Sequence, residues 1–224
     1  MKKRLLKWLR GSAPDVNLDA FSSSQVGSKI WLSDRLEEVL AQLTPPVGGY
    51  KIWVYGGWYG ITNFIIRVRD RIPVEFVRSI DQDPSCETIA DKINKFWEWQ
   101  GWQFKAQTGD ANSVLYVRDN PHIVINTSIE HMTGVQWFNN IPENTICVLQ
   151  VCDLPHDDHV AVISDLDTFK QKFPLKEVLY EGKLTFNYPT GDQSRLMIIG
   201  PKGSASAVAF MPQAPLLMQG RVDI

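Results

Sequence analysis

The chain reads as an α/β domain built on a mostly parallel β-sheet. Three features lead there. Short apolar runs alternate with stretches whose apolar residues recur every three or four positions, the pattern of strands joined by amphipathic helices. Its 224 residues suit one domain with appendages, with 44% apolar and 21% charged residues, which excludes a wholly disordered or collagen-like chain. A glycine-rich turn, Gly56-Gly57-Trp58-Tyr59-Gly60, follows the first strand-like run, where open parallel sheets bind ligands.

Before that run, residues 1–10 read as one short amphipathic helix, with Leu5, Trp8 and Leu9 expected on one face. Residues 11–24 read as a serine-rich linker. From Lys29 to Leu43 a helix is expected, because Trp31, Leu32, Leu36, Val39, Leu40 and Leu43 recur at helical steps. Pro45, Pro46, Gly48 and Gly49 end it. A strand is predicted over 50–55, then a helix over 61–70 with Ile61, Phe64, Ile65 and Val68 on one face. A second strand over 73–80 and a second helix over 85–97 follow, the latter with Ile89, Ile93, Phe96 and Trp97 as its stripe. Further strands are expected over 102–107, 121–126 and 145–152, and a short helix over 166–173. Runs 178–184 and 194–199 are separated by Tyr188-Pro189-Thr190-Gly191 and read as an antiparallel hairpin. Residues 201–224 hold three prolines and show no period, so an extended tail is expected.

Charge and cysteine content narrow the function classes. The net charge is −2, from 23 basic and 25 acidic residues, so the chain is not a general nucleic-acid binder. Five basic residues, Lys2, Lys3, Arg4, Lys7 and Arg10, sit in the first ten, which leaves −7 on the rest. That basic head is suited to an acidic partner or to nucleic acid. No apolar run is long enough to cross a membrane, and the broken apolar part of the N-terminus makes a poor secretory signal. Cys86, Cys147 and Cys152 have no Cys-x-x-Cys spacing and read as reduced, buried thiols.

Two rim loops carry the candidate chemistry. Gly56, Gly57 and Gly60 allow the backbone to turn tightly and approach a ligand, and the helix that follows offers free N–H groups. Asp81 lies 21 residues after Gly60, just past the second strand, where an acid accepts hydrogen bonds from ribose hydroxyls. The alternative for this segment is a turn or helix cap; Asp83, before Pro84, suits the cap. The spacing does not fit the G-x-G-x-x-G of dinucleotide binding, because Trp58 stands where a glycine is needed. After the fourth strand, Asn126, Glu130 and His131 sit at the same rim. Glu130 and His131 suit either proton removal from an acceptor or anchoring of the loop. His156-Asp157-Asp158-His159 has metal-ligand residue types but no third cluster to support it, and no metal site is expected. Trp97 completes a helix stripe; Trp99 is open as a stacking surface.

In their order and spacing these segments resemble class I S-adenosylmethionine-dependent methyltransferases, in the divergent form found among tailed-phage proteins. Trp53-Val54-Tyr55-Gly56-Gly57-Trp58-Tyr59-Gly60 resembles motif I, which runs acid-x-Gly-x-Gly-x-Gly; Val54 replaces its acid and Trp58 its middle glycine. Ile80-Asp81-Gln82-Asp83-Pro84 is similar to the ribose-binding motif. Thr108-Gly109-Asp110-Ala111 is similar to the segment whose acid meets the adenine amine. Asn126-Thr127-Ser128-Ile129-Glu130-His131-Met132 resembles motif IV, and residues 181–184 and 195–200 the last two strands. The resemblance covers about residues 26–202 and implies a Rossmann-like seven-stranded sheet, ordered 3-2-1-4-5-7-6, with an antiparallel C-terminal hairpin.

It implies S-adenosylmethionine as cofactor, held by Gly56, Gly57, Trp58, Gly60, Asp81 and Asp110, with Asn126, Glu130 and His131 as catalytic residues. The expected organisation is an arm and linker over 1–25, a methyltransferase-like domain over 26–202 and a tail over 203–224. Two functions follow: methyl transfer to an unknown acceptor, or a non-catalytic virion or assembly component that uses the fold as scaffold. In the second, residues 1–10 and 203–224 dock on other virion proteins, in the host cytoplasm or the virion.

Overall fold

The structure, a computed structural model, describes residues 16–116, 120–153, 159–188 and 191–203. The basic head, most of the tail, the Pro189-Thr190 turn and His156-Asp157-Asp158 lie outside the described residues.

Chain order begins with a 3-10 turn, Leu18–Phe21, and helix α1, Ser23–Leu40. The linker expected over 11–24 is therefore ordered structure from Val16 onward. Ser22 caps α1 by accepting from the Gln25 N–H. The early start has a clear cause: the buried face of α1 runs Ser24, Ser28, Leu32, Leu36 and Leu40, with Lys29 and Ser33 beside it. Its first two turns bury small polar residues, so hydrophobic periodicity finds only the second half. Strand β1 (Tyr50–Tyr55), helix α2 (Ile61–Arg69) and strand β2 (Val74–Asp81) follow as expected.

The single helix expected over 85–97 is two, α3 (Pro84–Ile93) and α4 (Lys95–Trp99). Asn94 separates them. It is fully buried, and its side-chain amide donates to the carbonyls of Gly60 and Ala90 and accepts from Asn63. Phe96, expected in the stripe, is therefore exposed. Trp97 packs partly buried against the core, whereas Trp99 is exposed, with Lys95 over its ring. The remaining elements are β3 (Phe104–Thr108), β4 (Ile123–Asn126), α5 (Gln136–Asn139), β5 (Ile146–Cys152), α6 (Leu166–Lys172), β6 (Tyr180–Phe186) and β7 (Gln193–Pro201). Helix α5 has no counterpart among the elements expected from sequence; four residues are too few to show a period.

The seven strands form one sheet in the order β3-β2-β1-β4-β5-β7-β6. β3 to β5 pair in parallel, and β7 pairs antiparallel with both β5 and β6. This is the order and orientation implied by the resemblance. Alternation along each strand sends side chains to two core layers. Ile52 and Val54 of β1 pack with Leu32, Leu36, Ile66 and Val148 on one face. Trp53 and Tyr55 pack with Val124, Trp137, Phe169 and Phe173 on the other. Central strands are thus buried on both faces, as parallel sheets require.

Candidate active site

The carboxyl ends of β1, β2, β3 and β4 open onto a cavity of about 940 Å³. β7 runs antiparallel, so its N-terminal end reaches the same rim: Arg195 pairs in register with Cys152 at the end of β5. α1 contributes Gln25 and Lys29, and the segment before it contributes Asn17 and Asp19. That segment is fastened to the first loop where the Asn17 N–H donates to the Tyr59 hydroxyl (3.1 Å), with Val16, Ala20 and Phe21 packed beside Tyr59, Ile61 and Ile65.

Six of the nine expected site residues line the cavity: Gly56, Trp58, Asp81, Asp110, Glu130 and His131. Asp81 is anchored by both carboxylate oxygens. Oδ2 accepts from the Trp58 N–H at 2.8 Å and Oδ1 from the Asp83 N–H at 3.0 Å. Ionised, each oxygen keeps further acceptor capacity for a ligand in the cavity. Asp83 takes the capping part expected of it, accepting from the Ser85 N–H. Trp58 has a left-handed backbone (φ 47°), ordinarily glycine's conformation, and its bond to Asp81 helps hold it there. Its ring lies tilted against Tyr59. Asp110 caps a short 3-10 turn: Oδ1 accepts from both the backbone and side-chain N–H groups of Asn112.

Gly57, Gly60 and Asn126 do not line the cavity. A Cβ on Gly57 would lie 2.0 Å from Ser79 Oγ, and one on Gly60 2.5 Å from Asn94 Nδ2. These glycines let the loop press onto β2 and α3. Asn126 is fully buried; it accepts from the Ser128 N–H at 3.0 Å and its amide reaches the Met132 sulfur. It shapes the loop that carries Glu130.

Two cavity residues, Lys29 and Arg195, have no part in the site expected from sequence. Arg195 makes a buried ion pair with Glu130 Oε1, and Glu130 Oε2 is buried with no hydrogen-bond partner. The Lys29 ammonium bonds to the carbonyl and side chain of Gln25 (3.3 and 3.0 Å). Burial, reinforced by the charge of Arg195 and opposed by Glu130 and Asp19, lowers its pKa from 10.5 to about 7. Little in the sequence marks either: Lys29 precedes the apolar repeat of α1, and Arg195 follows two polar residues at the start of β7. Their convergence depends on the register of β7 against β5, which no local pattern encodes.

His159 also lines the cavity, its ring edge-on to that of His131 at 4.9 Å. Among the described residues, no helix is long and apolar enough to cross a membrane.

No family model and no curated protein matches the sequence. Solved structures do match the fold. YcgJ of Bacillus subtilis superposes with a TM-score of 0.57 at 12% identity, over 79% of this chain and 98% of that one. A citrinin polyketide synthase CMeT domain gives 0.59 at 15% identity, over 82% of this chain but 55% of that one. Magnesium protoporphyrin IX methyltransferase of Synechocystis, solved with bound S-adenosylmethionine, gives 0.53 at 10% identity, over 79% and 81%. At these identities the likeness concerns the fold alone. That fold, in its seven-stranded sheet and antiparallel C-terminal hairpin, is the class I S-adenosylmethionine-dependent methyltransferase fold.

Proposed function

We propose that the protein transfers a methyl group from S-adenosylmethionine, bound in the rim cavity, to a nitrogen or oxygen acceptor. The observation that carries this is the division of the cavity: Asp81 and Asp110 on the β2–β3 side, and a buried Lys29–Glu130–Arg195 group with His131 on the other. A volume near 940 Å³ lies within the range of pockets that take a cofactor with a small ligand. The fit is good for the adenosine half. Asp81 is fixed by two backbone N–H groups with acceptor capacity left for ribose hydroxyls, and Asp110 lies beside it for the base.

The cofactor supplies an electrophilic methyl group on its sulfonium. The chain's own work is to orient the two reactants and remove a proton. Lys29 suits the proton removal. An amine with a pKa near 7, buried at the cavity wall, is substantially neutral at physiological pH and accepts a proton. Arg195 holds Glu130 through one oxygen and so fixes the charge layout of the acceptor side. His131 lies exposed on the rim of that side. The tailed-phage character of the reading rests on the Gly-Gly-Trp-Tyr-Gly and Asn-Thr-Ser-x-Glu-His-Met segments.

One observation favours a second reading, a virion or assembly scaffold whose terminal arms dock on partners. Val54 replaces the motif I acid and is buried in the core, while Trp58 occupies the glycine position of the loop. Calorimetry separates the two. Micromolar binding of S-adenosylmethionine and S-adenosylhomocysteine is expected for the enzyme; absence of binding by a folded protein supports the scaffold.

A further inference from the structure

We propose that Glu130, His131 and His159 form a binding site for one divalent transition-metal ion on the acceptor side of the cavity. One ligand atom from each lies within 4.8 Å of the other two. Around a metal with bonds near 2.0–2.2 Å, ligand atoms stand roughly 3–3.5 Å apart, so modest side-chain rotation closes the set.

Three further features support it. First, Glu130 Oε2 is buried and has no hydrogen-bond partner, while Oε1 is held by Arg195. A buried carboxylate oxygen without a donor is costly, and a cation beside it removes that cost. Second, main-chain hydrogen bonds fasten the two segments together. The N–H groups of Val160 and Ala161 both donate to the Glu130 carbonyl, at 2.8 and 3.2 Å. His159 is therefore brought beside Glu130 without help from a metal, the preorganisation that a binding site needs. Third, all three residues line the cavity, with Glu130 buried, His159 half-buried and His131 exposed. Three protein ligands with an open side toward a cavity is the arrangement of reactive metal sites, in contrast to closed structural ones.

Two imidazole nitrogens and one carboxylate oxygen select Zn²⁺, Co²⁺ or Mn²⁺ over Ca²⁺ and Mg²⁺, which prefer all-oxygen shells. Arg195 opposes a second positive charge nearby, so affinity in the micromolar range is expected, below that of thiolate sites. The open position would face whatever occupies the acceptor side, and an oxygen atom there could complete the shell. The site stands on its own geometry and does not depend on methyl transfer.

The test uses the untagged full chain, stripped of metal, titrated with Co²⁺ by visible d–d absorption and with Zn²⁺ by calorimetry. One ion per chain with micromolar affinity is expected. His131→Asn and His159→Asn should each weaken binding by at least roughly tenfold, since even an outer-shell partner is worth 10–100-fold. His122→Gln serves as control, because His122 sits before β4, its Nδ1 accepting from the Lys51 N–H at the opposite end of the sheet. Should a variant fail to fold, shifts of the His131 and His159 imidazole nitrogens on adding Zn²⁺ to the unaltered protein give the same answer. No saturable binding by ~1 mM Zn²⁺, a free energy weaker than about −4 kcal/mol, overturns the proposal. So does binding that both histidine variants leave unchanged.

Discussion

Asp81 serves two ends at once, and a pair of substitutions separates them. Its carboxylate holds the Trp58 and Asp83 N–H groups and, in the proposed reading, ribose hydroxyls. Asp81→Ala removes both and should weaken S-adenosylmethionine binding tenfold or more, since a hydrogen bond to a charged acceptor is worth ~1.5–3 kcal/mol. Asp81→Asn keeps one acceptor oxygen for the loop and should lose less; calorimetry on both variants, with circular dichroism to check folding, measures the split. Lys29 gives a prediction about pH. Its folded-state pKa lies below its ordinary value, so from about pH 7 to 10.5 the unfolded chain holds a proton that the folded chain lacks. Stability should therefore rise with pH across that window, at up to roughly 1.4 kcal/mol per pH unit, and be lowest below pH 7, where the folded chain must bury the charge. Denaturant unfolding of the wild type and Lys29→Met at pH 7 and pH 9 checks this: the extra rise should belong to the wild type alone. The cysteines offer a third case. Burial, with the charges of Asp81 and Asp83 adding to it, pushes the Cys86 thiol up to about 12, and burial pushes Cys147 to about 12 as well. All three thiols are free and buried, so a disulfide-exchange reagent near neutral pH should label the native protein slowly and the unfolded chain fully.

At the scale of elements, the first loop is held by close contact with β2. Gly57→Ala would drive its Cβ to 2.0 Å from Ser79 Oγ and 3.2 Å from Ser79 Cβ. It should destabilise the fold by about 1–3 kcal/mol, the usual cost of overpacking, and Ser79→Ala in the same chain should restore part of that loss by removing the hydroxyl. Thermal unfolding of the two single variants and the double variant measures the coupling. The same loop shows what was legible in the sequence. Strand and helix alternation, the turn at 56–60 and the acid after β2 could all be read, because each is a local pattern. The break between α3 and α4 could not. The apolar spacing of Ile89, Ile93 and Trp97 runs straight through it, and the cause is Asn94, whose partners Gly60 and Asn63 come from a different part of the chain. The first turns of α1 were hidden for a related reason: serines and a lysine, polar in composition, are buried there by the tertiary fold. Lys29 and Arg195 escaped notice as site residues because only the assembled sheet brings α1, the β4 loop and β7 to one wall.

In the whole molecule, the Glu130–Arg195 pair joins the parallel half of the sheet to its antiparallel hairpin across the cavity. Glu130 belongs to the loop that leaves β4, and Arg195 to the strand that returns along β5. Both side chains are almost fully buried, at 3% and 5% exposure, so either charge is poorly solvated when its partner is lost. Arg195→Met should therefore destabilise the protein by about 3–5 kcal/mol, chiefly through the stranded Glu130 carboxylate. Adding Glu130→Gln removes that charge and should recover much of the loss, although the double variant also loses the proposed metal ligand. Hydrogen exchange gives the spatial counterpart. β1, β4 and β5 lie inside the sheet and are buried on both faces, whereas β3 and β6 are its edges, and β6 alternates between half-buried and exposed residues. Amides of β1, β4 and β5 should exchange slowest, near the global unfolding rate, and those of β3 and β6 earlier. In Arg195→Met the protection of β6 and β7 should fall more than that of β1 and β2, because the lost pair fastens the hairpin to the rest of the sheet. Equal loss across all seven strands would show instead that the pair acts on global stability alone, with no separate hold on the hairpin.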